Sequence, residues 1–476
     1  MGISFNAASL LNGNGIDVSA VVSELQAASS GQLTTWQQDQ TNLQQQQSLL
    51  TGINSDLSNL ASAVQALSDP AGVLTSVSAT SSQPVILTAT AQNTAAAGNY
   101  NVVVSTLATT GTLYTASVAN ATTSILPSGA SSGDLQVQIG GSGGTTADIA
   151  ITAGSNDTLT TLAASINAQS ATNKWGITAS VVTDASGARL AIYSQSTGSS
   201  GALATTNNTT ALTFEPPVGG TNADITVNGI PYSSTTNSVT GAIPGVTLNL
   251  LSAFPGTQVQ VAVGPNTTQV SSAIDSFISA YNTVIGDINN QYTVNSTTNA
   301  EGPLGSDPSL RSLQSSLLAD ASYAVSGNSG GLTNLAALGI NMNDDGTLAV
   351  DNTQFSSVVS SNPAGVLSFF QNSASTGFAN NFTADLNNLT DATQGALNVD
   401  ITQNRAEQTD ITNHISDFQD QLATQKTQLL LEFSQVNATL ESYPFLLQEV
   451  TSQLTNGSST GSSNNNSTPT SGTSTG

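Results

Sequence analysis

The side chains that carry most enzyme chemistry are scarce in this sequence. His414 is the single histidine of the 476 residues, and there is no cysteine. A catalytic histidine needs a nucleophile and an orienting partner, and the residues near His414 supply neither. Because His414 lies beside the apolar residues Ile411 and Ile415, we interpret it as a solvated position at the edge of a coiled coil. No pair of carboxylates stands out for general acid–base work.

One polar segment, residues 341–346, has the spacing of a calcium-binding loop. Such loops place a bidentate glutamate at the twelfth position, where this chain has Asn352. We therefore favour a β-hairpin turn, with Gly346 at positive φ and with Met342 and Leu348 on its two arms.

Three further features have simple structural interpretations. The glycine-rich run 140–144 lacks the lysine and the helix of a phosphate-binding loop, so we expect a loop between two strands. Trp36 falls on an apolar seam and is expected to be core, and Trp175 precedes a strand and is expected to close a small core. We therefore predict no catalytic residue, no cofactor and no metal site, and a protein that is not an enzyme.

The composition narrows the class of partner. Hydrophobic residues make up 38% of the chain but charged residues only 7%, and five cations face 29 acids, for a formal net charge of −24. Nucleic acid is excluded as a partner because phosphate binding needs a basic surface. No cleavable signal peptide and no membrane span are predicted, since the start of the chain and its interior lack apolar runs of the required length.

The beginning of the chain has a heptad pattern. From residue 17 to residue 67, eleven of fifteen seam positions are apolar, and the four polar positions lie between Ser29 and Gln46. Glycine weakens helices, so we expect a short first helix, a break near Gly31, and a second helix that ends before Asp69 and Pro70.

The end of the chain repeats this pattern. Apolar residues alternate at spacings of three and four from Ile411 to Leu454, and Pro444 is expected to kink or interrupt this helix. A further helix is predicted from Val270 to Ile288, and another follows Asp307 as N-cap and Pro308.

Between about 80 and 265 the apolar period changes to two, which indicates strands. One helix interrupts them at 159–166, with Asn156 or Asp157 as its cap. The nine predicted strands are 84–91, 100–107, 134–140, 147–152, 176–183, 188–194, 223–228, 246–251 and 258–263. The fold class is thus α+β and multidomain, in which a terminal coiled coil and a helical bundle body carry an inserted β-rich head. Residues 455–476 are predicted to be a disordered tail.

Several segments, in the correct order along nearly the whole chain, resemble the flagellar filament-capping family, also called hook-associated protein 2. The segments are 15–18, 21–25, 98–102, 157–167, 176–181, 188–190, 243–248, 277–282, 302–307 and 338–351. The resemblance implies five regions. They are a leg (1–45 plus 425–454), a helical body with a hairpin near 340–351 (46–75 plus 268–424), a β-rich head domain (76–117 plus 218–267), a second β-rich head domain (118–217) and the tail (455–476).

The resemblance also implies a function. The protein is expected to be secreted and to form a homo-oligomeric ring of about five copies at the distal tip of the bacterial flagellum. It would retain exported flagellin there and promote its folding and insertion. Hook-filament junction proteins and an export chaperone are further expected partners.

Both ends of the chain are expected to order only when other chains cover them, because a seam interrupted by polar residues is weakly stable as an isolated pair. The seam residues to which we assign assembly are Val18, Val22, Leu25, Trp36, Leu43, Leu50, Leu57, Val64, Ile415, Leu422, Leu429, Val436, Leu440, Tyr443 and Leu447.

Two alternative functions remain open at this point. The Thr-rich and Asn-rich head suits an adhesin, which a glycan array with residues 80–265 would test. Another flagellar axial protein, flagellin or a hook-filament junction protein, shares terminal coiled coils but lacks the 277–282 helix and the 338–351 hairpin.

Overall fold

The computed structural model describes residues 22–24, 27, 30–297, 299–328, 330–372 and 375–457. The helices are α1 Gly31–Ser68, α2 Leu159–Asn173, α3 Thr267–Tyr292, α4 Pro308–Ala321, α5 Asn352–Ser361, α6 Pro363–Phe370, α7 Phe378–Leu389 and α8 Ala396–Gly457. The strands are β1 Val77–Ser81, β2 Leu87–Ala91, β3 Gly98–Thr106, β4 Thr110–Tyr114, β5 Ser132–Ile139, β6 Thr145–Thr152, β7 Ile177–Asp184, β8 Gly187–Thr197, β9 Leu203–Asn208, β10 Ala223–Val227, β11 Ile230–Ser234, β12 Ser238–Ile243, β13 Val246–Leu250, β14 Val259–Pro265, β15 Ile340–Met342 and β16 Leu348–Val350. The predicted α+β class is confirmed.

Three separate apolar cores hold the chain together. The core of the helical body joins the second half of α1 to α3 through α7 and to the start of α8. The first head packs a five-stranded sheet (β1-β14-β3-β10-β11) and a three-stranded sheet (β12-β13-β2) around its own core. The second head surrounds its core with two three-stranded sheets (β4-β8-β7 and β6-β5-β9) and with α2.

The sequence-based predictions agree with most of these elements. All nine predicted strands are confirmed, and so is the start of a helix at Gly31 and its end at Ser68. The side chain of Asp307 accepts hydrogen bonds from the backbone of Ser309 and Leu310, which confirms it as the N-cap of α4. Trp175 packs against the core of the second head, as expected.

Two predictions about helix ends are wrong. The cap of α2 is neither Asn156 nor Asp157 but Thr158, whose side chain accepts a hydrogen bond from the Thr161 backbone in a capping box. The last helix begins at Ala396 and continues through residue 444, so the predicted interruption at Pro444 is wrong, while the kink stays a prediction. An interior proline removes one backbone donor and crowds the preceding turn, but the helical bonds on either side of residue 444 continue the helix.

The hairpin prediction for residues 341–346 is confirmed. Met342 pairs with Leu348, and Gly346 has a φ of 82°. The side chain of Asn282 on α3 accepts a bond from the Leu348 amide and donates one to the Leu348 carbonyl, at 2.6 and 2.8 Å. The hairpin is therefore docked on α3, and among the described residues no cluster of acidic or histidine side chains is arranged to hold a metal ion.

One edge of the second head is closed by side chains of α2. Asn167 donates to the carbonyl of Ala179 and accepts from its amide, at 2.8 and 2.7 Å. The hydroxyl of Ser170 makes the same two kinds of bond with Ile177, at 2.7 and 3.2 Å. These four bonds satisfy backbone groups at the outer edge of β7, which would otherwise be open to other strands.

Ion pairs contribute little to this fold. Within the described residues a single salt bridge is present, between the Arg189 Nε and the Asp184 Oδ2 at 3.7 Å, and it lies on the surface. Polar stabilisation instead comes from amides and hydroxyls. Along α1, for example, Thr41, Thr51 and Ser58 each return a hydroxyl bond to the carbonyl four residues earlier.

A buried carboxyl group makes the stability of the helical body depend on pH. Asp320 on α4 is only 5% exposed, and burial, with the nearby Asp385 carboxyl second, raises the pKa of Asp320 to about 8. The folded body thus binds this proton more tightly than the unfolded chain does. The contribution to stability is complete below the unfolded pKa, near 4, and is lost as the pH rises towards 8.

We expect Asp320→Asn to remove this pH dependence. In the unchanged protein the free energy of unfolding of the body should fall by on the order of 1 kcal/mol per pH unit between pH 5 and pH 8. At pH 8 the variant should therefore unfold at a higher temperature than the unchanged protein. Thermal unfolding followed by circular dichroism at the two pH values measures this. Asp344→Asn, at an exposed hairpin position, is the control, and parallel pH profiles of all three proteins would contradict the assignment.

Candidate assembly surface

The two ends of the described chain meet in an antiparallel helix pair formed by α1 and α8. The Trp36 ring lies 5.8 Å from that of His414 and 5.4 Å from that of Phe418, measured between centroids. Nearer the body, the Asn54 Nδ2 donates to the Asn398 Oδ1 at 3.3 Å. His414 is exposed at the edge of the pair, as its sequence position indicated.

Polar layers separate the body core from the aromatic contact at Trp36. The Asn404 Nδ2 donates to the Gln46 Oε1 at 3.3 Å, and the Gln408 Nε2 donates to the Asn404 Oδ1 at 2.6 Å. Gln46 also donates to the carbonyl of Pro303 at 3.0 Å. Because the bond between Asn404 and Gln46 joins the two helices, this layer fixes the register of the pair, and it contributes little apolar stabilisation.

We expect Asn404→Ala to loosen the helix pair above the body. Asn404 is 6% exposed, so its removal leaves the Gln46 Oε1 without its partner and takes one of two acceptors from the Gln408 Nε2, which also donates to the Leu43 carbonyl. We expect this to cost about 1–3 kcal/mol. Hydrogen exchange should become faster at residues 36–47 and stay unchanged at 53–67, which lie in the body core. Gln403→Ala, at an exposed position one residue away, should leave both segments as they are, and equal exchange in the two variants would contradict the role of the polar layers.

Carboxyl groups surround the foot of the pair. A cleft there is lined by Gln46, Asp307, Asp400, Asn404 and Glu407, among others. Burial raises the pKa of Asp400, an effect that the hydrogen bond with Ser309 opposes. The residues that line this cleft are acids, amides, serines, prolines and leucines, so it offers a polar contact surface.

The predicted seam residues fall into groups with different surroundings. Three of them, Leu50, Leu57 and Val64, lie in the core of the helical body. Half-buried positions along the pair and beyond it are occupied by Trp36, Leu43, Ile415, Leu422 and Leu429. Val22 is buried, whereas Val436 and Tyr443 are 47% and 59% exposed. The side chains of Leu440 and Leu447, and the residues Val18 and Leu25, lie outside the described part of the structure. The role of the seam in assembly therefore stays a prediction, and it now depends on the exposed end of α8.

Sequence reasoning missed two parts of this surface. Asn404 and Gln408 continue the alternating spacing of three and four upstream of Ile411, through Leu397 and Ile401, so extending the pattern would have found them. Three exposed apolar residues off the seam were also missed: Leu431, Phe445 and Leu446.

Among the described helices, none combines the length and apolar character needed to cross a bilayer.

Comparison with known proteins points to one family for both ends of the chain. Residues 14–111 match the model of the flagellar hook-associated protein 2 N-terminus, and residues 220–444 match the model of its C-terminus. The B-type flagellar hook-associated protein 2 of Pseudomonas aeruginosa is 28% identical over 459 residues, which cover 90% of this chain and 92% of the relative. Flagellar hook-associated protein 2 of Escherichia coli is 26% identical over 378 residues, which cover 74% and 78% of the two chains.

A solved structure agrees with this result. The crystal structure of domains D1-D2-D3 of the flagellar cap protein from Escherichia coli superimposes with a TM-score of 0.56 at 25% identity. The match covers 75% of this chain and 99% of that one.

Proposed function

Since the chain belongs to the flagellar hook-associated protein 2 family, we propose that it is the cap at the distal tip of a bacterial flagellar filament. The observation that carries this proposal is the agreement with relatives of that name over both ends of the chain and most of its length. The protein acts as a structural component of the flagellum, and no bond is made or broken in its work.

The structure supports a division of labour within such a cap. We propose that the two heads form a plate that closes the tip, and that the helical body carries the plate. The leg, residues 1–45 with 425–454, engages the end of the filament. Support for the leg comes from α8, which continues for about 40 residues, or roughly 60 Å, beyond Phe418 at the contact with Trp36.

We further propose that several copies, about five, make a closed ring. Exported flagellin is held beneath the plate, folds there and enters the filament, and the junction proteins form the first base for the ring. The cap reaches this place by secretion, and an export chaperone covers the C-terminal helix before export.

We expect ring formation to be salt-dependent. Each copy has a formal net charge of −24, so copies repel one another until ions screen them. Analytical ultracentrifugation should show a larger fraction of rings at an ionic strength of about 0.15 M than at about 0.01 M, where the screening length is nearly fourfold greater. Rings that weaken as salt is added would contradict this expectation and would indicate contacts made by ion pairs.

Electron microscopy and a null mutant test the proposed function together. Purified protein should form discrete rings, and tagged protein should lie at the free ends of filaments. A strain without the gene should release flagellin into the medium and fail to swim. A monomer at all concentrations, together with unimpaired swimming of the null strain, would overturn the proposal.

A further inference from the structure

The distal part of α8 exposes an unusual concentration of large apolar side chains. Of the fifteen such side chains that are exposed in the described residues, six lie within twenty residues of this helix. They are Leu431 (58%), Val436 (47%), Tyr443 (59%), Phe445 (76%), Leu446 (58%) and Val450 (52%). Concentrations of this kind mark interaction surfaces on soluble proteins.

These side chains lie on two different sides of the helix. Val436, Tyr443 and Val450 repeat every seven residues and form one line, which we name the seam stripe. At about 100° per residue, Phe445 points about 160° away from Tyr443. Leu431 lies within about 40° of Phe445, so we name these two residues the far stripe, whereas Leu446 lies between the two stripes, nearer to Val450.

A two-stranded coiled coil cannot cover both stripes, because one partner helix contacts one side. The far stripe therefore needs a second neighbour. Given the proposed function, the α8 helices of adjacent copies run side by side in the ring and have equivalent residues at the same height. In a closed ring every copy also meets its two neighbours with two different surfaces, as two stripes on opposite sides provide.

We infer that the far stripe of α8 packs against the seam stripe of α8 in a second copy of this chain, head to tail around the ring. This inference rests on the proposed function and adds to it a specific contact within the leg.

The area of this contact explains why it should form in rings and not in pairs. At the exposures given above, one far stripe and one seam stripe bury roughly 550 Å² together, whereas stable specific interfaces bury at least about 1,200 Å². An isolated pair held only by this contact is thus weak. In the ring every copy makes the contact twice, and contacts of the heads and bodies add to it.

Engineered cysteines can test the contact directly because the chain has none of its own. In the full-length protein, Tyr443→Cys and Phe445→Cys place one thiol on each stripe at nearly the same height. Under a mild thiol oxidant the double variant should give a ladder of dimers, trimers and larger products. Each single variant should remain largely uncrosslinked. In the control, Tyr443→Cys is replaced by Gln448→Cys, which lies off the seam stripe, and the ladder should disappear.

The possible outcomes distinguish a failure of the proposed contact from a failure of the proposed function. Dimers from Phe445→Cys alone would show that the far stripe packs on itself about a two-fold axis, and would overturn the inference. Rings seen by electron microscopy without a ladder would also overturn it, because some other surface would then cover the stripe. If the protein forms neither rings nor a ladder, the result counts against the ring itself and so against the proposed function.

A second variant changes the far stripe and leaves the seam stripe intact. Leu431→Ser with Phe445→Ser should raise the concentration needed for ring formation at least about tenfold, through the apolar area removed. Val399→Ser changes an apolar residue of the same helix that is 46% exposed but lies near the body, and it should have no such effect. Equal ring formation by the two variants would contradict the inference.

Discussion

Cells that produce the protein without residues 430–476 should secrete it and yet fail to build filaments of normal length. All three apolar cores are formed by residues between Leu50 and Ile401, so the shortened chain should still fold. The deletion removes the seam stripe, the far stripe and the rest of α8 beyond Leu429. Without these surfaces the leg loses the exposed apolar side chains of α8 that it would bury against the filament or against neighbouring copies.

The measurement is filament length by electron microscopy, with the secreted protein assayed in the medium so that failed export is recognised. A chain shortened only by residues 458–476 is the control and should support normal filaments. Intact filaments of normal length with the longer deletion would exclude the leg assignment. Circular dichroism that shows fully ordered termini in dilute monomer would exclude the idea that they order on assembly.

The second large effect is expected from Phe378→Ala in the helical body. Phe378 is 1% exposed, and its ring lies 5.3–5.8 Å from those of Phe277, Phe369, Phe370 and Phe382. Removing a buried aromatic ring costs about 3–5 kcal/mol, as lost transfer energy and an unfilled cavity. The body should therefore unfold at a much lower temperature or denaturant concentration.

Because the heads have their own cores, the loss should be confined to the body. Hydrogen exchange measured residue by residue should become fast in α3 and α7 and stay slow in β5 and β8 of the second head. Phe254→Ala, whose side chain in the first head is 51% exposed, should change neither region. Cooperative loss of all three units in Phe378→Ala would show that the cores do not unfold separately.

Strands with several apolar residues were predictable because successive side chains point to opposite faces, so the buried face of a strand has an apolar residue at every second position. The five strands missed by the sequence analysis are β1, β4, β9, β11 and β12. In β1, β4, β9 and β12 at least half of the residues are Ser, Thr, Gly or Asn, as in Leu203–Asn208, and β11 contains Pro231. All five pair with more apolar strands. Their position depends on tertiary contacts, which local composition does not record.

Short helices were missed for a related reason. The helices α5, α6 and α7 have 8 to 12 residues, too few to build a long periodic seam. Their start signals are present: the side chains of Asp351 and Asn362 accept hydrogen bonds from the backbone at the first turn of α5 and α6. N-cap residues identify a helix start only when the following apolar pattern is also recognised.

The assembly surface was predictable only in part. Heptad spacing found both terminal helices, but it treats Leu57 and Tyr443 alike, although the first is fully buried and the second 59% exposed. Which seam residues meet the chain's own helices depends on the point where α1 and α8 cross, and the polar layer at Gln46 and Asn404 sets that point. The heptad pattern did not predict the far stripe because its residues do not occupy the apolar positions of the seven-residue repeat.

The near absence of ion pairs within the described residues has a consequence for the setting in which the protein works. A folded interior held by apolar packing, amides and hydroxyls has almost no attraction that dissolved ions can weaken. A rise in the salinity of the surrounding medium should therefore leave each subunit intact, and by screening the net charge it should reduce the repulsion both within a subunit and between neighbouring subunits.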